Sequence, residues 1–145
     1  MNVKDAMTTK VVLARPDQSI RDAARLMAQC DMGVLPVAEN DRLVGMITDR
    51  DIAVRAVAED KSPDTAVRDV MSPEVLYCFE DEAVDDVAQK MGEQQIRRLP
   101  VLNREKRLVG IVSLGDLATN SKARTSGEAI AAISRPGGPH DQALH

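Results

Sequence analysis

The sequence predicts an α/β protein of the α+β kind, built from two β-α-β-β-α repeats that pack as a pseudo-twofold pair. The first observation behind this is internal repetition. "VKDAM" from Val3 returns as "VRDVM" from Val67, and "VLPV" ending at Val37 returns as "RLPV" ending at Val101, both at an offset of 64. "RLVGMITDRDIA" from Arg42 returns as "RLVGIVSLGDLA" from Arg107 at an offset of 65, which puts one extra residue in the loop before Arg107. The second is that the same order of hydrophobic patterns runs through both copies. The third is size: one copy alone exposes too much apolar surface to be stable, so the two should pack sheet to sheet. The expected boundaries are repeat 1 over 1–66, repeat 2 over 67–122, and an extension over 123–145.

Each copy opens with a short apolar run, "VVLARP" or "VLYCFE", rich in strand formers. A helix follows. In the first copy Ser19 is placed to cap it, and Ile20, Ala23, Ala24 and Met27 recur at helical spacing. In the second, Val84, Val87, Ala88 and Met91 do the same, with Asp81 as the candidate cap. Two strands come next; in the first copy they are "GVLPVAE" and "RLVGMIT", joined by the turn "NDR" as a hairpin. A second helix begins near Asp49, with Ile52, Val54 and Val57 as its apolar members. Beyond Leu117 the pattern fades. "SGEAIAAIS" suits a short helix capped by Thr125 or Ser126, and "RPGGPHDQALH" reads as a loose tail carrying His140 and His145 as solvated residues.

Composition narrows the function. The chain has 145 residues, 43% hydrophobic and 29% charged, with one Tyr, one Phe and no Trp. The core must therefore be aliphatic. A net charge of −4 argues against a nucleic-acid partner, and the scarcity of aromatics removes the stacking platforms that single strands use. No apolar run is long enough to span a membrane, and "MNVKDAMTTK" does not read as a secretory signal. Cys30 and Cys78 have no CxxC spacing and read as free, buried thiols of a cytoplasmic protein, with a bridge between them left open. No metal-ligand spacing and no nucleophile beside a base is apparent, so no catalytic or metal-binding residue is assigned.

Three features can carry chemistry, the first two of them repeated. Pro36 and Pro100 should break ladder pairing, either to leave backbone groups for a planar heterocycle such as adenine or to protect an edge strand. Thr48 with Asp51, and Ser113 with Asp116, stand three apart where a strand turns into a helix. This is a capping box, and the same carboxylate can also grip the vicinal hydroxyls of a sugar. The third is "QIRRLPV", with Arg97 and Arg98 at the edge of an apolar strand. One arginine can pair with a surface carboxylate; the other can reach a phosphate near the helix that begins around Asp116. Gly33 and Val34 hold the matching positions in the first copy, so phosphate affinity should differ between the copies.

The tandem unit, the "LPV" strand and the "RLVGMITDRDI" and "RLVGIVSLGDL" segments resemble cystathionine-beta-synthase (CBS) domains arranged as a Bateman module, from about Val3 to Asn120. The resemblance implies two clefts between the repeats for an adenosyl ligand: AMP, ADP, ATP or S-adenosylmethionine. It also implies a disc-like homodimer. In the second repeat it implies that Asp116 holds the ribose, that Ser113 lies near the ribose or the phosphate, that Arg97 and Arg98 take phosphate, and that Val75, Ile96 and Pro100 wall the base. In the first repeat the matching residues are Val11, Gly33, Val34, Pro36, Thr48 and Asp51, a weaker site without the basic pair, unless Arg50 or another residue supplies the charge.

The leading expectation is thus a stand-alone, non-catalytic regulatory module that binds an adenine nucleotide, mainly at the second repeat, and signals to an unknown protein target. No cofactor is required. The alternative is a ligand-free dimer serving as an interaction scaffold or stress-related protein, in which the carboxylates are only caps.

Overall fold

A computed structural model describes residues 1–118 and, beyond them, Ile133. The remainder of the expected helix after Thr125, and the tail with His140 and His145, lie outside the described residues. The fold is α+β, and the chain groups into two compact units. One comprises Val12–Val75 with Lys106–Leu108; the other comprises Met1–Val11, Leu76–Glu105 and the chain from Val109.

In the first unit, α1 (Ile20–Cys30) starts where the Ser19 hydroxyl accepts the Asp22 N–H, and ends on Asp31 in a left-handed conformation. Its buried stripe is Ile20, Ala23 and Met27; Ala24, expected on that stripe, is exposed instead, and Leu26 packs at the rim. Strands β1 (Val34–Glu39) and β2 (Arg42–Thr48) form the expected antiparallel hairpin. Its two-residue turn, Asn40 and Asp41, has positive φ at both positions, which matches the twist of the flanking strands. α2 (Asp49–Asp51) runs on as a π-turn over Ile52–Ala56 and a 3-10 turn over Val57–Glu59. The wider π-turn rotates the apolar face, so Ala56 is buried while Val54 and Val57 are exposed, contrary to the expected stripe.

The second unit repeats this plan. β3 (Cys78–Phe79) pairs parallel with β4 (Arg98–Leu102), which lies beside β5 (Leu108–Ser113) in the order β3-β4-β5. α3 (Val84–Gln94) buries Val84, Val87, Ala88 and Met91 as the spacing predicts. Its N-cap is Ala83, without a side-chain cap. Asp81 is instead held by Arg104 in two bonds of 2.8 Å, which also keep its carboxyl below the usual carboxylate range. α4 is described over Leu114–Ala118.

The opening apolar runs are shorter strands than expected. "VLYCFE" contributes only two paired residues, and "VVLARP" contributes Ala14 alone, which bridges in parallel to Val37. The proline behaviour is also a correction. Pro36 does not break the ladder; it is buried inside β1 opposite Met46. Met46 turns its own N–H and C=O away, to Ser72, at 2.9 and 2.8 Å. Pro36 therefore occupies a position where the β1–β2 ladder requires no donor, and its carbonyl accepts the Ala14 N–H at 2.9 Å.

The two sequence repeats exchange their opening segments, each compact unit holding the segment that opens the other repeat. Val67 and Val70 are buried in the core with Leu35, Val37 and Ile47, while Val3 is buried with Leu99, Val101 and Val112. The backbone bridges are reciprocal: Ser19 to Ala66 and Met46 to Ser72 in one unit, Asn2 to Ala83 and Thr8 to Ile111 in the other. Each core is thus completed by a 3-10 turn (Val3–Asp5 or Val67–Asp69) that precedes, in sequence, the other repeat.

Two glycines make this exchange sterically possible. A Cβ at Gly45 would lie 2.7 Å from the Met71 sulfur and 2.8 Å from the Ser72 carbonyl oxygen; one at Gly110 would lie 2.6 Å from the Met7 sulfur and 2.9 Å from the Thr8 carbonyl oxygen. The repeated "RLVG" is therefore a packing requirement. Arg55 adds a clamp, donating to the carbonyls of Val70 and Met71 at 3.2 Å each.

Candidate functional site

In the second unit, the end of β5 and the start of α4 form a closed capping box. The Ser113 hydroxyl accepts the Asp116 N–H at 3.0 Å, and Asp116 Oδ2 accepts the Ser113 N–H at 2.9 Å. The structural reading of these residues is therefore correct, and it leaves the sugar-gripping reading open, because a carboxylate accepts at about four positions. Both residues are half-buried.

The carbonyl of Arg97 accepts the Leu114 N–H at 2.8 Å, which ties the residue to the first position of α4. Arg97, Arg98, Ser113 and Asp116 thus lie in one unit around the β4–β5–α4 junction. Both arginines are exposed, and neither forms the considered surface salt bridge with any described residue. Ile96 is half-buried against the core and Pro100 is buried in β4. Val75 is half-buried but groups with the other unit.

The first unit carries the same backbone with different side chains. Thr48 Oγ1 accepts the Asp51 N–H at 2.9 Å, and Asp51 Oδ2 accepts the Thr48 N–H at 3.0 Å. Gly33 stands where Arg97 does, its carbonyl accepting the Asp49 N–H at 2.9 Å. Val34 opens β1, Pro36 is buried, and Arg50 is exposed. Val11 groups with the opposite unit. Sequence reasoning passed over Asp49, whose carboxylate lies directly over Gly33: a Cβ there would be 3.0 Å from Oδ2. The only signal was the substitution of Asp49 by Leu114 within otherwise matching segments.

The remaining chemistry-bearing groups lie elsewhere. Cys78 is buried, and burial pushes its thiol from 9.0 up to about 12, with the nearby Glu82 adding to the rise. Cys30 is exposed, contrary to the expectation of two buried thiols, as the last residue of α1; both cysteines are free. Among the described residues no cluster of His, Cys, Asp or Glu is arranged to hold a metal ion, and no helix is long and apolar enough to cross a membrane. A cavity of about 360 Å³ lined by Arg15, Glu39, Asn40 and Arg68 opens at the hairpin turn of the first unit, the opposite end of the β1–β2 ladder from Gly33 and Thr48.

Comparison with known proteins agrees with this doubled architecture. The model of the CBS domain matches residues 3–57 and again 67–122. The chain is 46% identical over 134 residues to the CBS domain-containing protein YhcV of Bacillus subtilis, covering 92% of this chain and 95% of that protein. Among solved structures, it superposes on the CBS domain pair of protein MJ0100 in complex with 5′-methylthioadenosine and S-adenosyl-L-methionine, with a TM-score of 0.69, 33% identity, and coverage of 83% of this chain and 94% of that one. It also superposes on CBSX2 in complex with AMP, with a TM-score of 0.72, 26% identity, and coverage of 82% and 94%. The chain belongs to the CBS domain family, as a tandem pair of CBS domains.

Proposed function

We propose that this CBS pair is a non-catalytic regulatory module that binds an adenine nucleotide of the AMP, ADP or ATP class, chiefly at the second repeat. The observation that carries the reading is the junction of β4, β5 and α4. There the Arg97 carbonyl is bonded to the first residue of α4, next to the Ser113–Asp116 capping box, and neither Arg97 nor Arg98 is ion-paired among the described residues. Permanent guanidinium charge suits a phosphate, and a carboxylate suits vicinal ribose hydroxyls. In this reading Arg97 and Arg98 take the phosphate, Asp116 and Ser113 the ribose, and Ile96 and Pro100 the base. The AMP complex of CBSX2 supports the ligand class.

The module works in the cytoplasm as a homodimer, and the exposed Val54 and Val57 support an apolar contact between copies. Bound nucleotide shifts the packing that a protein target reads; the size of that shift is set by the ligand's differential affinity for the two states. No reaction is assigned, because no histidine lies within the repeats. Titration calorimetry with AMP, ATP and S-adenosylmethionine tests the reading. Heat of binding with one equivalent per chain supports it, and silence from all three at millimolar concentration removes it.

A second reading, a ligand-free dimer scaffold, is favoured by the closed capping boxes, which by themselves account for Asp51 and Asp116. It expects Asp116→Ala to lower the melting temperature by a few degrees, for a cap worth about 1 kcal/mol, and to change nothing else.

A further inference from the structure

We propose that the cavity at the hairpin turn of the first unit is a separate ligand site, for a small zwitterion with an apolar branch: a free aliphatic α-amino acid. It does not rest on the nucleotide reading. Every residue lining it belongs to the first unit, and it opens at the end of the β1–β2 ladder away from Gly33 and Thr48. The cavity exists because the two repeats differ there. At the offset of 64, Ala38 corresponds to Leu102, Asn40 to Arg104, Arg15 to Phe79 and Asp17 to Asp81. In the second unit these side chains close the place themselves. The Arg104 guanidinium lies 4.1 Å from the centre of the Phe79 ring and makes two bonds of 2.8 Å to Asp81, and Leu102 is buried. In the first unit a methyl replaces the isobutyl group, and a short amide replaces the guanidinium and its stem. About 360 Å³ is left open.

The frame around this space is held by backbone bonds. The Ala38 N–H donates to the Ala14 carbonyl and the Arg68 N–H to the Pro16 carbonyl, each at 3.0 Å, and the Arg15 N–H donates to Gln18 Oε1 at 2.7 Å. The Asn40 carbonyl accepts from Arg107 Nη1 at 2.6 Å. The charged rim is held far less. Arg15 reaches Asp17 only at 3.7 Å, and both side chains are exposed, so this pair contributes little. Arg68 and Glu39 have no ion-pair partner among the described residues. Two guanidiniums and two carboxylates thus line one small space, whose apolar members are Pro16 and Ala38. An anion alone would meet Asp17 and Glu39; a cation alone would meet Arg15 and Arg68. A ligand with a carboxylate and an ammonium on one short frame satisfies both sets. Its apolar branch takes the room that the Leu102 isobutyl group fills in the other repeat.

The test is a titration of the isotope-labelled full chain with L-leucine, isocaproate and isoamylamine, read from amide shifts in NMR spectra. L-leucine should saturate at millimolar concentration, with the shifts centred on Asp17, Ala38, Asn40 and Arg68. Isocaproate lacks the ammonium and isoamylamine the carboxylate, and each should bind at least about tenfold more weakly. Arg68→Gln should weaken L-leucine by about tenfold. Ala38→Leu, which restores the residue of the second repeat, should abolish its binding. Arg68 is exposed, so the first variant should fold. Thermal melts verify both, and if Ala38→Leu does not fold, Arg68→Gln decides alone. Saturating AMP should leave the L-leucine titration unchanged. The proposal is overturned by no shifts with L-leucine at millimolar concentration, by shifts centred elsewhere, or by equal affinity for either analogue. Wild-type binding in folded Arg68→Gln or displacement by AMP overturns it as well. A chain that binds L-leucine at these residues and binds no AMP supports this site and removes only the nucleotide reading.

Discussion

Thr8 and Ile111 exchange both backbone hydrogen bonds, each at 2.9 Å, so the N-terminal segment closes the sheet edge of the sequence-distant second repeat. Ser72 and Met46 do the same in the first unit. The unit of folding is therefore not the unit of sequence repetition, and this has consequences for truncation. Removing residues 1–8 deletes the fully buried Val3 from the core that contains Leu99 and Val112. Loss of one such valine costs about 1.5–3 kcal/mol. A fragment beginning at Val67 should show no cooperative melt, and the same fragment with residues 1–11 restored to it as a peptide should recover ordered structure by circular dichroism. A sharp transition for the bare fragment would refute the exchange.

The glycines of "RLVG" should resist substitution. Gly110→Ala drives a methyl against the backbone oxygen of Thr8, which cannot move without breaking its bridge to Ile111. A destabilisation of about 1–3 kcal/mol is expected in urea unfolding, and the same for Gly45→Ala. Gly115→Ala provides the control: its nearest contact would be Ser113 Oγ at 3.7 Å, and a helical alanine there should be neutral or stabilising by up to about 1 kcal/mol.

The two cysteines should differ sharply in reactivity. In the native protein a thiol reagent at neutral pH should modify Cys30 quickly and leave Cys78 untouched until the chain unfolds, as followed by mass spectrometry. The buried thiol also bears on alkaline stability. Its folded pKa is about 12 against an ordinary 9.0, so below pH 9 both folded and unfolded chains hold the proton. As pH rises from there the unfolded chain releases it first, and this contribution to stability is lost progressively up to about pH 12. Cys78→Ala should flatten that alkaline decline in denaturant midpoint; an unchanged slope would contradict the assignment.

Truncating the capping pairs should reveal two separable effects. Thr48→Ala and Ser113→Ala each remove one side of a capping box and should cost about 1 kcal/mol in thermal unfolding. If the nucleotide reading holds, Ser113→Ala should also weaken AMP, while Thr48→Ala should leave it nearly unchanged.

Much of this was legible in the residues. Ser19, the Asn40–Asp41 turn, the Val84–Met91 stripe and the two capping boxes are local devices, and local devices can be read from spacing. What escaped was tertiary. The π-turn that carries Val54 and Val57 outward interrupts a helical period without any glycine or proline to announce it. Pro36 was misread because its tolerance depends on which strand position lacks a ladder bond, a matter of register. Asp81 stood at a plausible capping distance until Arg104, many residues later, took it. The carboxylate over Gly33 was invisible for the same reason: it depends on where a strand end meets a helix start.

The most direct test of the central claim, that the second repeat holds the phosphate, is AMP affinity by calorimetry across Arg97→Ala, Asp116→Ala and Asp51→Ala. The account predicts a loss of about tenfold or more for the first two and little change for the third. Equal losses for all three, or an Arg97→Ala chain that binds AMP as wild type does, would contradict it.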